Sequence, residues 1–407
     1  MSASFPKTFS PLQLGPLALK NRIAMAPLTR QNAEADGTPT AEMAAYYARR
    51  ARGGVGLIIT EGTWQNDDLS CVAYLSQPGI LTRRHIDGWR RVTDAVHAHG
   101  VPILCQLMHG GRVCDPRCLH EGEAPVSASD THSDGAVLYT DNDTEMHDRG
   151  LTAPWPRVTF PPARALTEAE IHRIADGFAE GAARAVEAGF DGVELHGANG
   201  YLLYQFIHPK TNLRDDAWGG SPERNVAFAK LVCARTREAI GPDKVITLRL
   251  SQDGVDDFLG AWPGGVGYAR AVGAALADCA ADALHWSSFG WNQNRDESDP
   301  TPIPRALREA SGKPIIVNGG VMDGPTSEEV FDTGSGDIVA VGRPLFAHPD
   351  WPHIIRSGEA YDWAEFDRKY VVQPPVDLAL CYPQDRRVPD WNPDLSRRRK
   401  AGWMEQV

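Results

Sequence analysis

Short apolar runs alternate along this chain with longer amphipathic stretches. Ile23–Ala26 reads as a strand, Ala41–Arg52 as a helix, and VGLIIT (Val55–Thr60) as a buried strand. Arg83–His99 places Ile86, Trp89, Val92 and Val96 on one helical face, and VPILCQL (Val101–Leu107) is the next strand. Thr167–Ala188 is a long helix that opens TEAE, a threonine cap with Glu170 three residues on, the pattern of a capping box. DGVEL (Asp191–Leu195) is a strand. A helix follows from Ser221, with Pro222 at its first position and Glu223 in its first turn. KVITLRL from Lys244 is a strand, Gly267–Ala277 a helix, and Ala283–Trp286 a short strand followed by a helix near Arg305. PIIVNGG (Pro314–Gly320) is a strand ending in glycines, Ser327–Phe331 a helix, and DIVAVGR (Asp337–Arg343) the last strand.

Eight strands, each followed by a helix, over about 330 residues favour a parallel sheet. Eight units favour its closure into a (β/α)8 barrel of the TIM type. The rival, an open doubly wound sheet, would normally carry GxGxxG after its first strand, and there is none. Two segments stand outside the repeat. Residues 112–165, between the third strand and the third helix, are rich in Pro, Asp, His and Gly and too long for a plain loop. They read as an excursion over the barrel mouth, with a small hairpin. Residues 358–407 form an aromatic-rich tail, expected to pack on the barrel wall or against a partner subunit. The expected organisation is thus one barrel domain over 1–357 and a C-terminal extension over 358–407.

Composition narrows the partners rather than the fold. Of 407 residues, 42% are hydrophobic and 23% charged, which is ordinary for a globular chain. A net charge of -12 argues against nucleic acid. The one dense basic run, Arg397–Lys400, reads as a solvated face. No apolar run reaches the roughly 20 residues of a membrane span, and the first residues lack the apolar core of a signal peptide. Seven scattered cysteines point to reduced thiols and a cytoplasmic location. Cys114, Cys118 and His120 lie close together, but in no strong metal-binding spacing, so no metal is expected. Monomer and homodimer are both compatible with the chain.

In a barrel of this type the active site lies at the C-terminal ends of the strands. Pro27, Leu28, Thr29 and Arg30 follow the first strand, and Glu61, Gly62 and Thr63 the second. Gln106 and His109 end the third; His196, Asn199 and Tyr201 follow the fourth; Arg249 lies on the fifth; His285 and Trp286 belong to the sixth. Asn318, Gly319 and Gly320 end the seventh and Gly342 and Arg343 the eighth. Glycines there expose N–H groups suited to a phosphate, and Arg343 could clamp the same group; tight turns alone are the bland alternative. Alternation sets Thr247 and Arg249 on the barrel interior, opposite Leu248 and Leu250. An interior arginine calls for an anionic ligand or for a salt bridge to Glu61 or Glu194. His196 and Asn199 can hold a carbonyl oxygen from one side of a glycine-loosened turn, and Tyr201 can give up a proton. A structural cluster without chemistry is the alternative.

These residues match a known pattern. HGANGYLLYQFIHPKTNLRDDAWGGSPERN (His196–Asn225) resembles the old yellow enzyme family of FMN-dependent ene-reductases. So do MAPLTR (Met25–Arg30), TEG (Thr60–Gly62), QLMHGGR (Gln106–Arg112), LRLS (Leu248–Ser251), NGGV and VGRPLFAHPDW. The matches run in order from Asn21 to about Trp351.

The resemblance implies FMN across the barrel mouth and NADPH or NADH as hydride donor. Ala26, Pro27, Leu28 and Thr29 match the segment along the flavin ring, and Gly62 and Gln106 its edge contacts. Arg249 matches the residue near the flavin N1 and C2 carbonyl, and Asn318, Gly319, Gly320, Gly342 and Arg343 fall at the phosphate end. His196 and Asn199 match the pair that binds the substrate oxygen, and Tyr201 the proton donor. The implied reaction is ping-pong reduction of the C=C bond of enones and nitroalkenes. A dehydrogenase, demethylase or double-bond isomerase on the same barrel is the nearest alternative. More distant ones are a non-catalytic flavin binder and a flavin-free lyase, for whose Schiff base Lys244 and Lys313 are poorly placed. The chain departs from the family where Met108 replaces the common Trp, in SPERN, and in the longer excursion. It also lacks the iron–sulfur cysteines and second nucleotide-binding domain of larger relatives.

Overall fold

A computed structural model describes residues 5–137, 158–256, 260–294 and 298–358. Its centre is the expected closed barrel of eight parallel strands. In chain order the strands include a leading hairpin, β1 (Leu12–Leu14) and β2 (Leu17–Leu19), and a small pair, β6 (Val126–Ser127) and β7 (Arg164–Ala165). The barrel itself is β3 (Ile23–Met25), β4 (Leu57–Ile59), β5 (Ile103–Leu107), β8 (Gly192–Asn199), β9 (Val245–Gly254), β10 (Ala283–Ser287), β11 (Ile315–Asn318) and β12 (Ile338–Val341). These pair in sequence order, and β12 closes on β3 through Ala340 opposite Ala24.

Alternation sorts the side chains. Ile58, Ile103, Cys105, Val193, Leu248 and Val317 face outward into one large core with the helices. The inward set Ala24, Leu57, Ile59, Leu104, Val245, Ala283, Ile316 and Ile338 forms a second core. Leu14 and Leu19 of the β1–β2 hairpin belong to that inner core, so the hairpin plugs the end of the barrel opposite the mouth.

The helix Glu168–Glu187 begins as its sequence predicts. Thr167 Oγ1 accepts from Glu170 N at 3.3 Å, and Glu170 Oε2 accepts from Thr167 N at 2.9 Å. The helix expected from Ser221 is instead two, Pro222–Asn225 and Ala227–Ile240, broken at Val226. The excursion is anchored by parallel pairing of β6 with β7 and by an antiparallel bridge between Ala136 and Thr159, where a small hairpin was expected. Its residues 138–157, and the C-terminal tail beyond Gly358, lie outside the described residues. Among the described residues no helix is long and apolar enough to cross a membrane.

Trp89 shows what the outer core contributes. It is fully buried, stands edge-on to Phe190 at 5.3 Å, and donates from Nε1 to Gly79 O at 2.9 Å. Trp89→Ala should lower stability by about 3–5 kcal/mol, read as an earlier unfolding midpoint in urea. A loss near zero would mean that the helix Arg83–His97 contributes little to the fold.

Candidate active site

The register of β5, β8, β9 and β10 stacks the interior polar residues in rows. Gln106 lies opposite Glu194, and Glu194 opposite Thr247. One row nearer the mouth, His196 lies opposite Arg249, and Arg249 opposite His285. Glu194 is fully buried and has three donors: Gln106 Nε2 at 2.9 Å, Thr247 Oγ1 at 3.0 Å and His285 Nδ1 at 2.7 Å. Burial alone would raise its carboxyl, but His285, Arg249 and Gln106 outweigh that and hold it below the ordinary range. His285 is itself pushed down by burial, against the pull of Glu194, so the carboxylate carries the charge and the imidazole is neutral.

Arg249 is 5% exposed. Its Nη2 donates to Ser287 Oγ at 2.9 Å and to Asn318 Oδ1 at 3.1 Å, while Nε has no hydrogen-bond partner among the described residues. The salt bridges weighed from sequence do not form. Glu61 accepts from the backbone of Arg30 and Gln31 and from Tyr47, and Glu194 acts on Arg249 only through its field. Asn318 is held by its Nδ2 bond to Ala340 O at 3.0 Å. Beyond it the backbone turns left-handed, with φ of 124° at Gly319 and 72° at Gly320. A Cβ on Gly319 would lie 2.0 Å from Ser288 O, so the close approach of the two loops requires glycine there. Gly342 sits beside Leu28 and Ala26, bringing the ends of β12 and β3 together. Arg343 is exposed at the rim, Pro27 is buried, and Leu28 and Thr29 are half-buried.

The strand β8 runs further than expected. His196 and Asn199 lie within it, not in a turn after it, because β9 continues alongside as far as Gly254. A bulge between Gly197 and Asn199 shifts the register, and Asn199 takes a φ of 58°, a left-handed conformation that asparagine tolerates. Its N–H donates to Ser251 Oγ at 2.7 Å. The His196 Nδ1 accepts from Ala198 N at 3.4 Å, which leaves the ring proton on Nε2. Burial, then Arg249 and His285, keep His196 well below its usual range and therefore neutral. Tyr201 packs against it, with ring centroids 4.9 Å apart, and is pushed up by burial, so it holds its proton. Ala73, Tyr74, Met108, Val113, Val137 and Phe160 form an apolar jacket around Tyr201.

Of the residues singled out from sequence, His196, Tyr201, Arg249 and Asn318 converge on one mouth. Gln106, Thr247 and His285, also named from sequence, meet around Glu194, which the sequence offers only as a salt-bridge partner of Arg249. Nothing local marks Ser287 or Tyr74 as members of the site. Lys244 Nζ donates to Phe190 O, and Lys313 Nζ to Cys279 O and Ala281 O, so neither reaches the mouth. Cys114 donates to Val72 O and His120 contacts Asp67 O. No cluster of three or more His, Cys, Asp or Glu suited to a metal occurs among the described residues.

Comparison with known proteins agrees with the geometry. A family model described as the NADH:flavin oxidoreductase / NADH oxidase family matches residues 7–362. Flavin oxidoreductase hxnT of Emericella nidulans is 34% identical over 401 residues, covering 92% of this chain and 97% of that protein. Chanoclavine-I aldehyde reductase fgaOx3 of Penicillium roqueforti is 36% identical, covering 88% and 92%. NADH oxidase of Thermoanaerobacter brockii is 32% identical over 87% of this chain, which spans only 51% of that longer protein. Among solved structures, an old yellow enzyme homologue from Zymomonas mobilis superposes with a TM-score of 0.77 at 30% identity, covering 91% of this chain and 98% of that one. Morphinone reductase in complex with tetrahydroNAD gives 0.74 at 32%, covering 88% and 92%. The barrel, the ordered motifs on its strand ends and a match along nearly all of its described length agree: the chain belongs to the NADH:flavin oxidoreductase / NADH oxidase family, and it is an FMN-dependent oxidoreductase of old yellow enzyme type.

Proposed function

We propose that the enzyme uses NAD(P)H to reduce the C=C bond of α,β-unsaturated carbonyl and nitro compounds, with FMN held at the barrel mouth. The observation that carries this reading is a buried arginine whose Nε has no partner among the described residues, in register with His196, against which Tyr201 packs. A cation there fits a ring that gains negative charge on reduction, since Glu194 reaches the guanidinium only through its field and a buried charge is costly without hydrogen-bonded partners. The glycine-lined ends of β11 and β12 fit the phosphate of the same cofactor. Ala26, Pro27, Leu28 and Thr29 would lie along its ring, with Gly62 and Gln106 at the edge. Asn318, Gly319, Gly320, Gly342 and Arg343 would hold the phosphate end. Bound there, FMN would supply the hydride chemistry that links NAD(P)H to the alkene.

The chain's own residues bind and polarise. Neutral His196 donates from Nε2, and Asn199 from its amide, to the substrate oxygen, where negative charge grows. Tyr201 protonates the α-carbon. The relatives that reduce chanoclavine-I aldehyde and morphinone support an unsaturated carbonyl substrate by similarity.

The test is direct. Purified protein should be yellow, release FMN rather than FAD on denaturation, and consume NADH or NADPH faster when an enone, nitroalkene or maleimide is added. A colourless protein that FMN does not reconstitute, or nicotinamide consumption indifferent to every acceptor, would sink the reading.

A further inference from the structure

The hydroxyls of Tyr74 and Tyr201 lie 2.5 Å apart, at the short end for a hydrogen bond. Their rings are perpendicular, with centroids 6.2 Å apart. Both side chains are buried, at 1% and 3% exposure, inside the jacket of Met108, Val113, Val137 and Phe160, which keeps water from competing for the bond. Tyr74 is held in place from below. Gln77 Oε1 accepts from the backbone N–H of Ala73 and Tyr74 at 2.9 and 3.2 Å, and Gln77 Nε2 donates to Gly62 O at 3.0 Å. The loop after β4 is thereby pinned to the same mouth that carries Tyr201.

We infer that Tyr74 is a positioning residue for the proton step: its hydroxyl donates to the Tyr201 oxygen, turns the Tyr201 proton toward the substrate, and steadies the phenolate left behind. The inference rests on the proposed role of Tyr201 as proton donor. One hydrogen bond joins the two hydroxyls, so only two arrangements exist. If Tyr201 donates to Tyr74, its proton faces away from the substrate. If Tyr74 donates to Tyr201, that proton is available. As the step proceeds, the Tyr201 O–H bond breaks and a C–H bond forms at the α-carbon from the electron pair of the enolate. The phenolate then has only the second arrangement, and water later returns its proton. Burial opposes the phenolate most strongly, and the bond from Tyr74 works against that penalty.

A double-mutant cycle tests this, with Tyr74→Phe, Tyr201→Phe and the pair, all of which keep the ring shapes. Stopped-flow traces of the reduced holoenzyme would be recorded with a simple cyclic enone and with a nitroalkene, in H2O and D2O. Tyr74→Phe should slow the enone reaction by about 10- to 100-fold, the effect of one hydrogen bond to a charged oxygen. It should also enlarge the solvent isotope effect, and slow the nitroalkene far less, because the nitronate takes its proton from water. In the Tyr201→Phe background the second change should add nothing. Equal slowing of enone and nitroalkene would show a packing role only, and equal loss in both backgrounds an independent one; either overturns the inference. An unchanged enone rate in Tyr74→Phe with a slowed one in Tyr201→Phe overturns it while leaving the proton donor intact. An unchanged rate in Tyr201→Phe removes the donor itself, and the inference with it.

Discussion

Tyr201→Phe is expected to slow the oxidative half-reaction with a simple enone by about 10²–10⁴-fold, the full effect of a lost general acid. Reduction of the enzyme by NAD(P)H should proceed almost as before, since arrival of hydride needs no phenol. The split follows from the surroundings of the residue. Tyr201 is buried beside His196 and pushed above the ordinary tyrosine range, so it stays protonated across the working pH range. The apolar jacket leaves little room for water to replace it. His196 is neutral for the same reason, so neither partner should impose a pH limb between about 6 and 9. The measurement is the pair of half-reactions followed at the flavin absorbance. An enone rate unchanged by the substitution would assign the proton to water or to another side chain.

Arg249→Leu is expected to weaken FMN retention by about 10- to 100-fold and to move the reduction potential to more negative values. Hydrogen bonds to a charged group contribute about 1.5–3 kcal/mol each, and about 1.4 kcal/mol is a factor of ten. The guanidinium is already oriented by Ser287 and Asn318 with Nε left over, so the bound group gains its donor without reorganisation. Loss of the cation also removes one of the influences that keep Glu194 ionised, although His285, Thr247 and Gln106 remain bonded to it. Flavin release by fluorescence and a dye-coupled redox titration would report both effects. A variant that holds FMN as tightly at an unchanged potential would mean that Arg249 is not the counter-charge of the reduced ring.

Much of this protein is local in origin. Apolar runs of strand length between amphipathic stretches announce eight βα units, because alternation and helical periodicity need only near neighbours to be read. The Thr167–Glu170 cap closes within one turn, and both of its bonds are present. Arg249 stands out because an arginine between leucines on a strand must face the interior. The motifs follow one another in the order of the strand ends, and that order alone carries the resemblance to the family.

The rest depends on contacts between segments far apart along the chain. β8 continues through His196 to Asn199 only because β9 lies alongside it, and that pairing cannot be read from either segment alone. Glu194 is satisfied by residues of three other strands, so its charge can stay buried only once the barrel closes. Neither of the salt bridges weighed for Arg249, to Glu61 or to Glu194, forms, because charge complementarity says which groups attract, whereas register says which can touch: β10 and β11 present Ser287 and Asn318 first. Tyr74 and Tyr201 are 127 residues apart, in a loop and at a helix start, with no local pattern linking them. Local segments carry the period of the fold and the kind of chemistry at its mouth. Barrel closure determined which side chains share a proton or a charge, because those contacts depend on strand register and burial that no single segment contains.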